Sequence, residues 1–147
     1  MALKRRIIED LSPSALTHLG LRAALEILAS EFRRRSGVAL TLDVQDLVLP
    51  ELPRTAVYRM VQECLDNVQR HAAARTATVV VRRTEAQLLV QVRDSGRGFD
   101  PQTIAASGHG LRQLRHRIET LGGRLFVISA PGRGTEVEAR VPLQLRG

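Results

Sequence analysis

The sequence predicts an α/β fold, a two-layer sandwich in which a mixed, mainly antiparallel sheet carries helices on one face. Two observations predict it. Along the chain the hydrophobic pattern runs helix, strand, helix, two strands, helix, two strands, and strands joined directly in pairs imply a mainly antiparallel sheet. The three helical stretches are each apolar on one side only, so together they need one sheet face to cover. With 147 residues and a mass of 16.2 kDa the chain fits a single domain, large enough for a continuous core.

Residues 1 to 11 read as the tail of a preceding helix or linker, because "LKRRIIEDL" has apolar spacing without a start signal. Residues 12 to 147 then form the domain. Ser12-Pro13 resembles an N-cap followed by a first-turn proline, and Leu21, Ala24, Leu25, Leu28 and Phe32 recur at helical spacing. Arg33 to Arg35 and then Gly37 supply a basic last turn and a left-handed stop, so one amphipathic helix is expected to end near residue 36. "VALTLDV" alternates as a short strand. After the proline-bounded "LPELP", residues 54 to 74 predict a second helix with Val57, Met60, Val61, Cys64, Leu65 and Val68 on its buried face. "TATVVVRRT" and "QLLVQVRD" are β-branched strands joined by a short polar turn. Leu111, Leu114, Ile118 and Leu121 mark a third helix that Gly122-Gly123 stops, and "RLFVISA" with "TEVEARVPL" makes a hairpin across "PGRG".

Composition narrows the function. Forty-four per cent hydrophobic residues with ordinary charge describes a soluble globular protein, and no apolar run approaches the roughly 20 residues that span a bilayer. No secretory signal opens the chain, and a cytoplasmic location without membrane contact is expected. The single cysteine, Cys64, excludes an intramolecular disulfide and reads as inert core. A net charge of +7 raises nucleic acid as a partner, yet the arginines are scattered and only 3% of residues are aromatic, so no base-stacking platform exists. A solvated arginine-rich surface is expected instead, with a field that also suits an anionic small ligand.

Four clusters carry the chemistry. In the second helix Glu63, Asn67 and His71 stand at i, i+4 and i+8, drifting about 40° per step, with Arg70 beside them. The amide oxygen suits Mg²⁺, the carboxylate could orient or deprotonate a nucleophile, and Arg70 could take phosphate charge. By itself the stripe reads more readily as a solvated helix face. Asp94 ends a strand at "RDSGRGF", where Gly96 and Gly98 turn the backbone away. A buried carboxylate there needs a donor, and the exocyclic amine of adenine would be one; guanine presents a carbonyl, at a cost on the order of 1–3 kcal/mol, roughly 5- to 150-fold in affinity. An Asp-Ser-Gly turn explains the same residues. In "SGHGLRQL", Gly108 and Gly110 directly precede a helix, whose exposed amides and positive dipole end attract anions. Residues 99 to 107, between the glycine pairs, could close as a lid. Thr135 in "PGRGTEVEARVPL" stands at a strand start, where its hydroxyl could support Asp94 or a bound water. No P-loop or dinucleotide fingerprint occurs, His109 and His116 lack zinc partners, and Ser95 and Ser107 lack a His/Asp set.

In this order "ECLDNVQRH", "DSGRGFD", "GHGL" and "GRGT" resemble the N, G1, G2 and G3 boxes of the GHKL ATPases, over about residues 5 to 143. Within that superfamily "ECLDNVQRHAAA" and "GHGLRQLRHRIETLGGRL" look most like sensor histidine kinases of the nitrate- and desaturase-sensing type. The resemblance implies the Bergerat ATP-binding fold with ATP and Mg²⁺ as cofactors. It implies that Asn67 is the Mg²⁺ ligand and that Glu63 either supports the metal's ligands from behind or is the catalytic general base. Arg70 and His71 would face the nucleotide, and Asp94 would accept from adenine. Gly96, Gly98, Gly108, His109, Gly110, Leu111 and Thr135 would shape the pocket. Chemistry would be positioning and charge neutralisation of a transferring γ-phosphoryl group.

The family's phosphoacceptor histidine lies in an upstream Glu-Leu-His-Asp-like box, and His18 in "LTHLGL" lacks that context. The chain is therefore expected to be the catalytic part of a kinase that works with dimerisation helices and a response regulator, and to transfer phosphate poorly alone. A non-enzymatic nucleotide-sensing module, or another GHKL ATPase or serine kinase, are the alternatives.

Overall fold

The computed structural model describes residues 15–98 and 109–143. Residues 15–19 are helical, and the chain then breaks at Gly20 (φ 88°, ψ 171°) before α1 (Leu21–Ser36). A single helix running from Ser12-Pro13 is thus corrected to two segments. Glycine takes the left-handed φ at no steric cost, and Gly20 closes the earlier turn on Leu16 O while its own carbonyl receives Ala24 N–H at 3.1 Å. Ser12 and Pro13 lie outside the described residues.

α1 buries Leu21, Ala24, Leu25, Leu28, Ala29 and Phe32, and stops at Gly37 (φ 71°), whose N–H donates to Arg33 O. β1 (Ala39–Val44) follows at once, held to the helix end by Arg33, which donates from Nε and Nη2 to Leu40 O at 3.0 and 2.8 Å. α2 (Glu51–Asn67) begins three residues earlier than expected and is regular only to Asn67. Pro53 is accommodated because a first-turn residue has no helical partner for its N–H, and Arg54 N–H to Pro50 O makes the opening bond. From Val68 to Ala72 the chain winds as one π-helical turn, ended by Ala73 at φ 50°. β2 (Thr76–Thr84) and β3 (Gln87–Asp94) form a hairpin, α3 (His109–Thr120) stops at Gly122-Gly123, and β4 (Arg124–Ser129) and β5 (Thr135–Pro142) form a second hairpin. The five strands lie in the order β1-β2-β3-β5-β4, with only β1 and β2 parallel because α2 crosses between them.

One core unites the layers. Phe32, Leu25, Met60, Val57 and Leu65 from the helices meet Val79, Val81, Leu88, Val90 and Val141 from the sheet. The opposite sheet face is polar: Arg93 Nε donates to Glu136 at 2.9 Å, Gln91 to Glu138 at 2.7 Å, and Arg82 pairs with Asp43. The mainly antiparallel sandwich with helices on one face is therefore as expected. No helix among the described residues is long and apolar enough to cross a membrane. Register brings Asp94 at the end of β3 opposite both Ala77, near the start of β2, and Thr135, the first residue of β5. The last turns of α2 and the first turn of α3 pack beside them through Glu63 and Gly110.

Candidate functional site

Asp94 is the one buried charged side chain among the described residues, 9% exposed. Gly96 N–H donates to its Oδ1 at 2.8 Å, and Thr135 N–H also stabilises the carboxylate. Burial raises its pKa above the ordinary carboxylate value, and these two backbone donors oppose the rise. An ionised carboxylate has about four acceptor positions, so two donors leave capacity for a ligand donor. Ser95, next in the chain, faces the other way. Its N–H bonds Thr76 O at 3.1 Å, and its Oγ accepts from Thr76 N–H at 3.2 Å and Thr76 Oγ1 at 2.9 Å, clamping the exit of β3 to the start of β2.

Thr135 supports Asp94 through its backbone. Its hydroxyl lies 2.8 Å from Ser129 Oγ across the β4–β5 hairpin. Strand register explains this: Ser129, Thr135 and Asp94 are successive partners across three strands. Gly98 (φ 66°) packs so closely on the hairpin that a Cβ there would lie 2.0 Å from Ala130 O.

On α2, Glu63 and Asn67 are both half-buried, and neither forms a hydrogen bond or ion pair among the described residues. Glu63 lies against the first turn of α3: a Cβ on Gly110 would stand 1.8 Å from Glu63 Oε1 and 2.8 Å from its Cδ. Helix-start amides have no partner within their own helix, so the acid of one helix rests on the anion-attracting end of another. The Cys64 thiol, next to Glu63 in the chain, is buried, its pKa pushed far above the usual thiol value first by burial and then by the charges of Glu63 and Asp94. The thiol stays protonated and unreactive, and its electrostatic environment brings the α2 acid and the β3 acid into one neighbourhood.

The structure therefore sets Glu63 on Gly110 and Asp94 on Gly96 and Thr135, with Gly98 against the same β4–β5 hairpin and Asn67 one turn beyond Glu63 on α2. Glu63 and Asn67 lie one turn apart in the regular part of α2, and from Val68 the chain continues as the π turn. Arg70 is exposed within that turn, and His71 belongs to it by its backbone. Leu111 packs against the core, and His109 begins α3. Gly108 and the expected lid, residues 99 to 107, lie outside the described residues. Sequence reasoning missed Gly134 and the Thr76–Ser95 clamp. Glycine in "GRGT" was a signal for the first, but its partner is set by strand register.

Comparisons with known proteins agree with this geometry. The family model for "Histidine kinase-, DNA gyrase B-, and HSP90-like ATPase" matches residues 53–145. The chain is 35% identical over 139 residues to the sensor histidine kinase LiaS of Bacillus subtilis (strain 168), taking in 95% of this chain and 39% of that protein. It is 31% identical over 147 residues to the signal transduction histidine-protein kinase/phosphatase DegS of Brevibacillus brevis, taking in 97% of this chain and 38% of that protein. It thus spans well under half the length of these relatives. Among solved structures, the histidine kinase domain of the blue-light activated histidine kinase of Erythrobacter litoralis EL346 superposes with a TM-score of 0.74 at 26% identity, covering 84% of this chain and 61% of that one.

Proposed function

Since the chain belongs to the histidine kinase-, DNA gyrase B- and HSP90-like ATPases, we propose that it is the ATP-binding catalytic domain of a longer sensor histidine kinase, acting in the cytosol. In that reading it holds Mg-ATP for transfer of the γ-phosphoryl group to a histidine on dimerisation helices, from which the phosphoryl group passes to a response-regulator aspartate. The motifs "ECLDNVQRHAAA" and "GHGLRQLRHRIETLGGRL" favour the nitrate- and desaturase-sensing type.

The observation that carries the proposal is the buried Asp94 carboxylate, with two backbone donors and unused acceptor capacity, at the strand end beside Glu63 and Asn67. Asp94 accepts the adenine amine. The Asn67 amide oxygen, half-buried and without a hydrogen-bond partner among the described residues, fits a hard cation that shares its remaining positions with phosphate. Mg²⁺ held there would supply positive charge to the phosphates of a bound nucleotide. Arg70 and the N-terminal amides of α3 take further phosphate charge. Glu63 orients the attacking histidine and accepts its proton as the imidazole nitrogen bonds to phosphorus and the bond to the ADP oxygen breaks.

Calorimetric titration of ATP and GTP, each with and without Mg²⁺, into the native chain and Asp94→Asn tests this. Losing a hydrogen bond to a charged acceptor costs about 1.5–3 kcal/mol, so Asp94→Asn should weaken ATP binding about 10- to 150-fold. Equal native affinity for ATP and GTP would remove the adenine-site assignment.

A further inference from the structure

Two loops meet around Asp94, and glycines stand where their backbones touch. Gly132 N–H donates to Arg97 O at 2.5 Å, joining the β4–β5 hairpin to the loop that leaves β3. Within the hairpin Gly132 (φ 79°) and Gly134 (φ 72°) both hold left-handed conformations that disfavour a side chain. Their surroundings differ. A Cβ on Gly132 would meet nothing within 4 Å, whereas one on Gly134 would lie 2.2 Å from Asp94 O, 3.2 Å from Asp94 C and 3.4 Å from Gly96 N. Gly96 N–H is the donor that holds Asp94 Oδ1, and the residue after Gly134 is Thr135, whose N–H also stabilises that carboxylate.

Resting on the adenine-binding proposal above, we infer that Gly134 is a specificity-determining positioning residue: its missing side chain sets how far the base-reading Asp94 stands from the hairpin. The atoms a Cβ would strike are backbone, so no rotamer change relieves the contact. Restoring an ordinary separation of about 3.0–3.4 Å from 2.2 Å moves one backbone against the other by roughly 1 Å. The useful range of an N–H···O distance is only about half an ångström wide. A shift of this size takes the carboxylate out of reach of an amine on a base held elsewhere by its phosphates.

The test uses the chain itself, with ATP and GTP as probes in calorimetry, for the native protein, Gly132→Ala, Gly134→Ala and Gly134→Asn. Asparagine tolerates positive φ while keeping the Cβ, so it covers the case in which the alanine variant does not fold. Gly132→Ala suffers comparable backbone strain away from Asp94 and should melt lower while keeping the native preference for ATP over GTP. The folded position-134 variants should bring that preference to within about 3-fold of unity, a change in ratio that loss of folded protein alone does not produce. A native ratio in a folded position-134 variant, or an equal collapse in Gly132→Ala, overturns the role of Gly134. A native chain that binds both nucleotides equally overturns the adenine-site proposal, and this inference with it.

Discussion

Replacing Gly110 by alanine separates the positioning of Glu63 from the stability of the domain. The three atoms nearest a Cβ at residue 110 all belong to Glu63: Oε1 at 1.8 Å, Cδ at 2.8 Å and Cγ at 3.4 Å. Bringing Oε1 out to the 3.4 Å of ordinary contact requires a retreat of about 3.4 − 1.8 = 1.6 Å. Because the struck atom ends a flexible side chain, the move costs little energy, and Gly110 carries no left-handed φ that alanine would strain. Alanine is favoured over glycine in a helix by up to about 1 kcal/mol, so the melting temperature should hold or rise by up to about 3 °C. Catalysis should respond differently, since misplacing a reacting group by about 1 Å costs about 100-fold in rate. The assay joins the chain to a histidine-bearing helix pair and follows label from ATP into acid-labile phosphohistidine, with scanning calorimetry on the same samples. Glu63→Asp shortens the side chain by one methylene, about 1.5 Å, so by itself it should cost about as much in transfer rate, and Gly110→Ala should add little to that loss in the Glu63→Asp background. Unchanged transfer in Gly110→Ala would refute the reasoning. A loss that tracks weaker ATP binding and adds fully to that of Glu63→Asp would assign the glycine to phosphate clearance instead.

Two further outcomes follow from the geometry. Asp94 titrates higher folded than unfolded, so its protonated form stabilises the fold below the unfolded carboxylate value, near 3.8, and that contribution disappears as pH rises through the raised folded value. The melting temperature of the native chain relative to Asp94→Asn should therefore fall from about pH 4 upward, and a flat or rising difference would contradict the burial assigned to Asp94. Arg33→Ala removes both bonds to Leu40 O, and with the guanidinium exposed the loss should be about 1–2 kcal/mol, a drop of about 3–6 °C by thermal melting. Arg33→Lys should recover less than half, because an ammonium cannot make the paired contact; full recovery would show that charge at the helix end matters more than the fork.

Local periodicity was enough to read most of the elements. The strands 76–84 and 87–94 coincide with the β-branched stretches read from sequence, and the buried faces of α1 and α2 are those their spacing predicts, because burial repeats every two residues in a strand and every 3.6 in a helix. Departures occurred where the backbone changed locally: Gly20 divided the first helix, and the second, read as running to residue 74, passes from Val68 into a π turn. Pro53 was taken as a boundary although the first turn of a helix accepts proline.

The sequence by itself determined the fold class and the order of the four glycine- and acid-bearing clusters, since those depend on residue type and spacing along one chain. Only the tertiary structure decided which groups meet across it. Register set Thr135 beside Asp94 and turned its hydroxyl to Ser129, and helix packing laid Glu63 on Gly110. The hairpin's approach to Asp94 made Gly134 differ from Gly132, two glycines with nearly the same φ in the same turn. Such distances depend on residues far apart in the chain, and no local pattern encodes them.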